Sequence, residues 1–277
     1  MIRNTRNLTL LLLAAFSLIL ASCKKDNTLM YGNLTMGNFV GDKFISDQGN
    51  EFTIVENNTG ETFEGIERAI MQCDVLNKIE GTENGYDVRV SYVSEVLTKA
   101  PIESEVAAAD PEKLVEDPIN IDYAWVAGGY LNLYLLFEVQ YSPKVEDSKH
   151  MVNLVYTLSK EESKSAAENE AGKYTFTLRH NAYGETLTKE EELEDQVQLQ
   201  SSELIQWGLG GGYVSFQLSE LITEKEAEIT INWKEHVKDP YNNWLAEVID
   251  KTVTLNYSKD QFQQTPLNLT TKTAVLK

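Results

Sequence analysis

Tyr130-Leu131-Asn132-Leu133-Tyr134-Leu135-Leu136-Phe137-Glu138-Val139 decides the fold, because Leu131, Leu133, Leu135, Phe137 and Val139 recur at every second position. Side chains alternate across a strand with period two, so this spacing gathers five apolar groups on one face. Just before it stands Gly128-Gly129, preceded by Ile119, Ile121, Tyr123 and Trp125 at the same spacing. Two alternating runs joined by a glycine pair predict a β-hairpin with all four of those residues on one face of its first strand. Toward the C-terminus, Met151 to Leu158, Lys173 to His180, Tyr213 to Leu218, Glu228 to Trp233 and Ile249 to Tyr257 carry further strand signals. Seven or so strands with little helix predict an antiparallel immunoglobulin-like β-sandwich over residues 119–277. Only Lys189 to Asp195, an acidic run after Thr188, reads as a short helix with a solvated face.

The N-terminal half uses the same language in shorter phrases. Leu34 to Val40, Lys43 to Ser46, Phe52 to Val55, Arg68 to Leu76 and Tyr86 to Leu97 are separated by Gly41-Asp42, Asp47-Gln48-Gly49-Asn50 and Glu83-Asn84-Gly85. In Tyr86-Asp87-Val88-Arg89-Val90-Ser91-Tyr92 the apolar residues again alternate. The all-β reading is therefore a small OB-type five-stranded barrel over 34–103, followed by the sandwich. Between them, 104–118 reads as a linker, since Pro101 to Pro118 holds three of the six prolines and no sustained apolar period. Pro111 to Val115 is suited to a single helical turn, because proline is tolerated in a first turn.

The chain begins differently. Arg3 and Arg6 precede an almost unbroken apolar run from Leu8 to Leu20, closed by Ala21-Ser22-Cys23. Basic, apolar and small segments in that order predict a secretory signal over 1–22. The run is shorter than the roughly 20 residues that cross a bilayer as a helix. Leu20-Ala21-Ser22-Cys23 resembles the bacterial lipobox, so Cys23 is expected to carry lipid, with 23–33 as a tether. Several acyl chains hold a protein far more firmly than one, so the anchor is expected to be permanent. The expected location is the outer membrane of the cell envelope, with the periplasmic face and the cell surface both open.

Charge narrows the partners. The full chain has 24 basic and 43 acidic residues, net −19, and loss of Arg3 and Arg6 with the signal takes it to −21. Such a surface disfavours nucleic acid, which is held by neutralising phosphate with Lys and Arg. Residues 24–103 carry seven basic and fourteen acidic groups, so the barrel offers no basic groove for stacked bases. With Cys23 lipidated, Cys73 is the one remaining thiol; it excludes a disulfide framework and reads as buried and inert.

Catalytic and cofactor signatures are weak. No Gly-x-Ser-x-Gly turn occurs, and His150, His180 and His236 are not at metal-ligand spacing, so no catalytic residue, metal site or cofactor is assigned. Gly208-Leu209-Gly210-Gly211-Gly212 lacks the Gly-Lys-Ser/Thr of a phosphate loop and reads as a hairpin loop after Trp207. The candidate binding residues are four. Arg179 and His180, on opposite faces of one strand, are suited to clamping a carboxylate or sugar. Trp207 and Tyr213, flanking the glycines, are suited to stacking on a sugar ring.

Three stretches carry a resemblance. Gly128-Gly129-Tyr130-Leu131-Asn132-Leu133 resembles the glycine-tyrosine-leucine strand of the NigD-like lipoproteins of outer-membrane bacteria. Leu178-Arg179-His180-Asn181-Ala182 with Gly184-Glu185 resembles that family's leucine-arginine-histidine-asparagine stretch, and His150-Met151-Val152-Asn153-Leu154 is similar to a strand between them. In the first domain the resemblance rests on spacing and on Arg68, Tyr86, Val88 and Lys99. It implies an OB-type domain followed by a β-sandwich domain, and an association with bacteriocin immunity; it supplies no catalytic residues. The leading expectation is a non-catalytic envelope lipoprotein that binds a protein or glycan partner. Two alternatives stand beside it: a glycan-binding lipoprotein of a surface uptake system, and an envelope hydrolase using acidic residues.

Overall fold

A computed structural model describes residues 29–141, 150–157, 172–184, 206–238, 244–258 and 267–268. The signal, the lipobox with Cys23, and the Lys189 to Asp195 helix expectation lie outside the described residues. No helix among the described residues is long and apolar enough to cross a membrane.

Five strands close into a barrel: β1 (Leu29–Val40), β2 (Lys43–Ser46), β3 (Glu51–Asn57), β4 (Arg68–Lys78) and β5 (Gly85–Glu95), in the order β1-β2-β3-β5-β4 with β4 returning to β1. Closure removes the free edges that would otherwise invite pairing with other chains. The β1–β2 turn is the two residues Gly41-Asp42 between paired Val40 and Lys43, and Gly41 takes the positive φ of 64° that such turns demand. Phe44, Phe52, Met71, Cys73, Val75, Val88 and Val90 fill the interior. The alternation of β5 holds through Val90 and then breaks. The register with β4 shifts between Gln72 and Cys73, so Ser91 is an extra residue and Tyr92 turns outward, 46% exposed.

Two five-stranded sheets form the second unit. Short β6 (Leu97–Lys99) and β7 (Ile102–Glu103) are followed by α1 (Ser104–Ala107) and a 3-10 turn (Pro111–Leu114). Then come β8 (Asn120–Ala127), β9 (Tyr130–Tyr141), β10 (Met151–Tyr156), β11 (Gly172–Asn181), β12 (Gln206–Gln217), β13 (Glu226–Lys238), β14 (Trp244–Ser258) and β15 (Leu267–Asn268). One sheet runs β15-β8-β9-β12-β6 and the other β14-β13-β11-β10-β7. Most ladders are antiparallel; β6–β12, β7–β10 and β11–β13 run parallel. Leu131, Leu133, Phe176, Phe216, Ile229 and Ile231, all fully buried, occupy the space between the sheets.

The expected division at residue 103 shifts in the structure. Leu97–Lys99 joins one sandwich sheet and Ile102–Glu103 the other, so 97–103 belongs by pairing to the sandwich. Strands of two or three residues are too short to show alternation. Lys99 ties the two layers together, donating to Val152 O and to Asn153 Oδ1, each at 2.7 Å. Residues 104–118, expected to be a linker, pack on β10 and β11, with the 3-10 turn where Pro111 permits it.

A bulge in β8 and a glycine run in β12 set what the outer face of the sheet displays. Ile121 pairs with Leu135 and Tyr123 with Tyr134, leaving Asp122 as a bulge. Ile119 and Ile121 therefore face the core, whereas Tyr123 and Trp125 turn to the other side and Ala124 and Val126 replace them inside. Gly208 to Gly212, expected as a loop, lies within β12, paired with β9 from Val139 to Leu135. The long β9 template outweighs the low strand preference of glycine. Gly211 also serves packing, since a Cβ there would sit 2.9 Å from both Leu135 O and Leu136 Cδ2.

Candidate functional site

The barrel is fixed to the sandwich by one buried arginine. Arg68, at the start of β4 and 1% exposed, sends Nη1 and Nη2 to Asp47 Oδ1 and Oδ2 at 3.0 and 2.6 Å within the barrel. It then reaches across: Nη2 donates to Asn132 Oδ1 on β9 at 2.8 Å and Nε to Ser215 Oγ on β12 at 2.8 Å. Ser215 Oγ donates to Asn132 Oδ1 at 2.7 Å, and the guanidinium lies 4.1 Å from the centre of the Tyr130 ring. All five guanidinium donors have a fixed fork geometry, which is why an arginine can bind three elements at once. Burial pushes the Asp47 carboxyl above its usual range, and the Arg68 charge pulls it back.

Beside this junction the outer face of sheet β15-β8-β9-β12-β6 carries a group of aromatic rings. Tyr123 and Trp125 arrive from β8 through the bulge, Tyr134 from β9 and Tyr213 from β12. Tyr134 and Tyr213 lie 4.6 Å apart between ring centres at 43°, Trp125 meets Tyr213 edge-on at 6.3 Å and 79°, and Tyr123 lies 6.4 Å from Tyr134 at 50°. Trp125 also packs on Met36, Ile70 and Val96 at the barrel seam. Its neighbour Tyr213 is 36% exposed. Burial, the neighbouring tyrosines and Asp122 raise the Tyr213 hydroxyl above its usual pKa, so it stays a neutral donor.

On the opposite sheet, β11 and β13 run side by side as far as Thr177 and Asn232 and then part. Residues 116–119 enter the fork: Glu116 bridges to His180, Asp117 N–H donates to His180 O at 2.9 Å, and Ile119 N–H donates to Lys234 O at 2.9 Å. Glu116 is thereby set between Arg179 Nη1 and Lys234 Nζ, the latter 2.7 Å away. The fork opens onto a cleft of about 350 Å³ that reaches Asp250 and Thr252 on β14.

Arg179 and His180 do not act on one ligand. Arg179 faces the cleft, and burial lowers its pKa. His180, 2% exposed, points the other way, with Nδ1 at 3.0 Å from Pro118 O and Nε2 at 2.9 Å from His150 Nδ1. A proton on His180 Nδ1 serves the carbonyl, so His150 Nδ1–H donates to His180 Nε2. Burial, then the neighbouring His150, pushes His180 down to about 4, so it is neutral near pH 7. Tyr213 is on the aromatic face, whereas the backbone of Trp207 lies in β12 opposite Gln140 and its side chain lies outside the described residues. Cys73 is buried, and desolvation pushes its thiol up to about 11, an inert environment. Among the described residues no three His, Cys, Asp or Glu groups converge as metal ligands.

Sequence reasoning missed Tyr123, Trp125 and Tyr134 as surface partners of Tyr213, because the bulge at Asp122 reverses the face. It also missed the Asp47–Arg68–Asn132–Ser215 junction, whose members are up to 168 positions apart in the chain, leaving no local signal.

Comparison with known proteins agrees with this architecture. Residues 101–194 match the NigD-like C-terminal beta sandwich domain. The crystal structure of a NigD-like immunity protein from Bacteroides caccae is 16% identical over 82% of this chain and 97% of that one, with a TM-score of 0.52. A protein from Parabacteroides distasonis described as toxin-related is 20% identical over 82% of this chain and 92% of that one, with a TM-score of 0.51. At these identities the likeness shows the fold. No curated protein matches the chain.

Proposed function

We propose that this chain, whose residues 101–194 match the NigD-like C-terminal beta sandwich domain, is a non-catalytic outer-membrane lipoprotein, anchored through Cys23, that captures a protein partner. The observation that carries this reading is the Tyr123, Trp125, Tyr134 and Tyr213 face. Tyrosine and tryptophan on rigid elements supply large contact area at small entropic cost and dominate protein-binding hot spots. The strands, the bulge and the barrel seam hold these rings in place before any partner arrives, which reduces the cost of association.

A protein fits this face better than a glycan chain. Stacking along a sugar chain favours rings that share a plane, and here the neighbouring rings are inclined at 43°, 50° and 79°. Edge-to-face rings instead form a ridged surface into which a partner's side chains insert. The similarly folded protein described as an immunity protein makes a secreted toxin the first partner to test. The hydrolase alternative is disfavoured at the cleft. Glu116 is engaged by both Arg179 and Lys234, so it is not a free carboxyl placed to hand a proton to a ligand.

Affinity capture from detergent-solubilised envelopes tests the proposal. The native chain is expected to retain a specific protein that a Tyr134→Ala/Tyr213→Ala chain loses. Equal recovery with both chains, or no protein with either, contradicts it. For the immunity reading, deletion of the gene is expected to sensitise cells to toxin-producing sister strains, and unchanged sensitivity counts against it.

A further inference from the structure

We propose that the fork between β11 and β13 is a second binding site, for one neutral sugar unit. Its cleft, about 350 Å³, falls within the roughly 300–1,000 Å³ of small-molecule sites. It lies on the sheet opposite the aromatic face, so it is independent of the protein contact proposed above.

The chemistry of the lining selects the ligand. Arg179 and Lys234 share the Glu116 carboxylate, Lys251 faces Glu235 at 3.6 Å, and Asp250 adds one more anion. Three cations thus meet three carboxylates, leaving no surplus charge for an anionic or cationic ligand. What remains is a set of neutral-ligand contacts. Asn232 Oδ1 is engaged by Thr252 Oγ1 at 2.7 Å, which orients its amide and leaves Nδ2 to donate. Asp250 and the Thr177 hydroxyl supply acceptors on either side.

Donors and acceptors that a ligand cuts off from water must find partners on that ligand, so a hydroxyl-bearing molecule is favoured here over an apolar one. Vicinal hydroxyls each donate and accept, and a sugar can therefore satisfy donors and acceptors arranged alternately around one small cleft. An aliphatic ligand would strand them. The strands on both sides are tied by 116–119, so the cleft is preformed rather than assembled on binding.

The test applies the full chain, in a sugar-free detergent, to an array of neutral and uronate-containing glycans, followed by calorimetry on the best neutral hit. Binding to a neutral glycan is expected, weakened at least tenfold by Asp250→Ala and by Asn232→Ala and unchanged by Tyr213→Ala. Asp250 is exposed, so its replacement leaves the fold intact. No neutral glycan bound, stronger binding of uronates, or affinity indifferent to Asp250→Ala overturns the proposal. Loss of binding with Tyr213→Ala alone moves the sugar to the aromatic face and also overturns it.

Discussion

Arg68 and Asp47 form a two-pronged ion pair, 2.6 and 3.0 Å between partner atoms, at the point where the barrel meets the sandwich. The pair is buried, and the three remaining arginine donors go to Asn38 within the barrel and to Asn132 and Ser215 across the seam. Removing one partner leaves a buried charge unmatched, which costs about 3–5 kcal/mol. Asp47→Ala is therefore expected to lose that much stability in denaturant unfolding at pH 7. Asp47→Ala/Arg68→Met is expected to recover part of it, because the stranded charge is gone. A loss below 1 kcal/mol for the single variant contradicts the structural role assigned to the pair.

The turn that feeds β9 is coupled to the same pair. Gly128 has φ of 59°, and a Cβ there would lie 2.6 Å from Asp47 Oδ1. The left-handed backbone alone costs a non-glycine residue about 1–2 kcal/mol, and displacement of the carboxylate adds to it. Gly128→Ala should lower the unfolding midpoint clearly. Gly212→Ala, where nothing lies within 4 Å, is expected to be neutral or slightly stabilising.

His180 predicts how stability follows pH. Its folded pKa of about 4 lies below the ordinary 6.5, so the unfolded chain binds the proton more readily between those values. The contribution is fully present above pH 6.5 and is lost as pH falls through about 4, so that by pH 4.5 the chain has lost roughly 2–3 kcal/mol of stability relative to pH 7. Urea unfolding at pH 7 and pH 4.5 checks this. His180→Asn, whose Nδ2 can take the Nδ1 position and donate to Pro118 O, is expected to flatten the difference, and an unchanged pH dependence contradicts the assignment.

The aromatic face predicts a selective loss of binding. Tyr213→Ala removes an exposed ring that three elements position, and partner affinity is expected to fall at least tenfold, or about 1.4 kcal/mol. Surface plasmon resonance with the captured partner measures it. Tyr92→Ala, an exposed tyrosine on the barrel, should leave affinity unchanged.

The strands were legible where alternation is uninterrupted, as in Leu131 to Phe137, because a buried face imposes period two directly on the sequence. Bulges erase that signal. One extra residue at Asp122 or Ser91 reverses every later side chain, so Tyr123, Trp125 and Tyr92 face outward against the local pattern. The glycines from Gly208 to Gly212 read as a loop because strand pairing with β9 is a property of the partner, not of the segment. Arg179 and Tyr213 stand out in the sequence by residue type alone. Their neighbours do not, since Glu116, Asn232 and Asp250 meet Arg179 only through the fork between parallel strands.

The most direct measurement places a photo-reactive benzoylphenylalanine at position 213 of the native chain in living cells, with position 92 as the control. The account predicts a discrete cross-linked protein adduct from position 213 that is missing from position 92. No adduct at 213, or the same adducts from both positions, contradicts the claim that the aromatic face holds a protein partner.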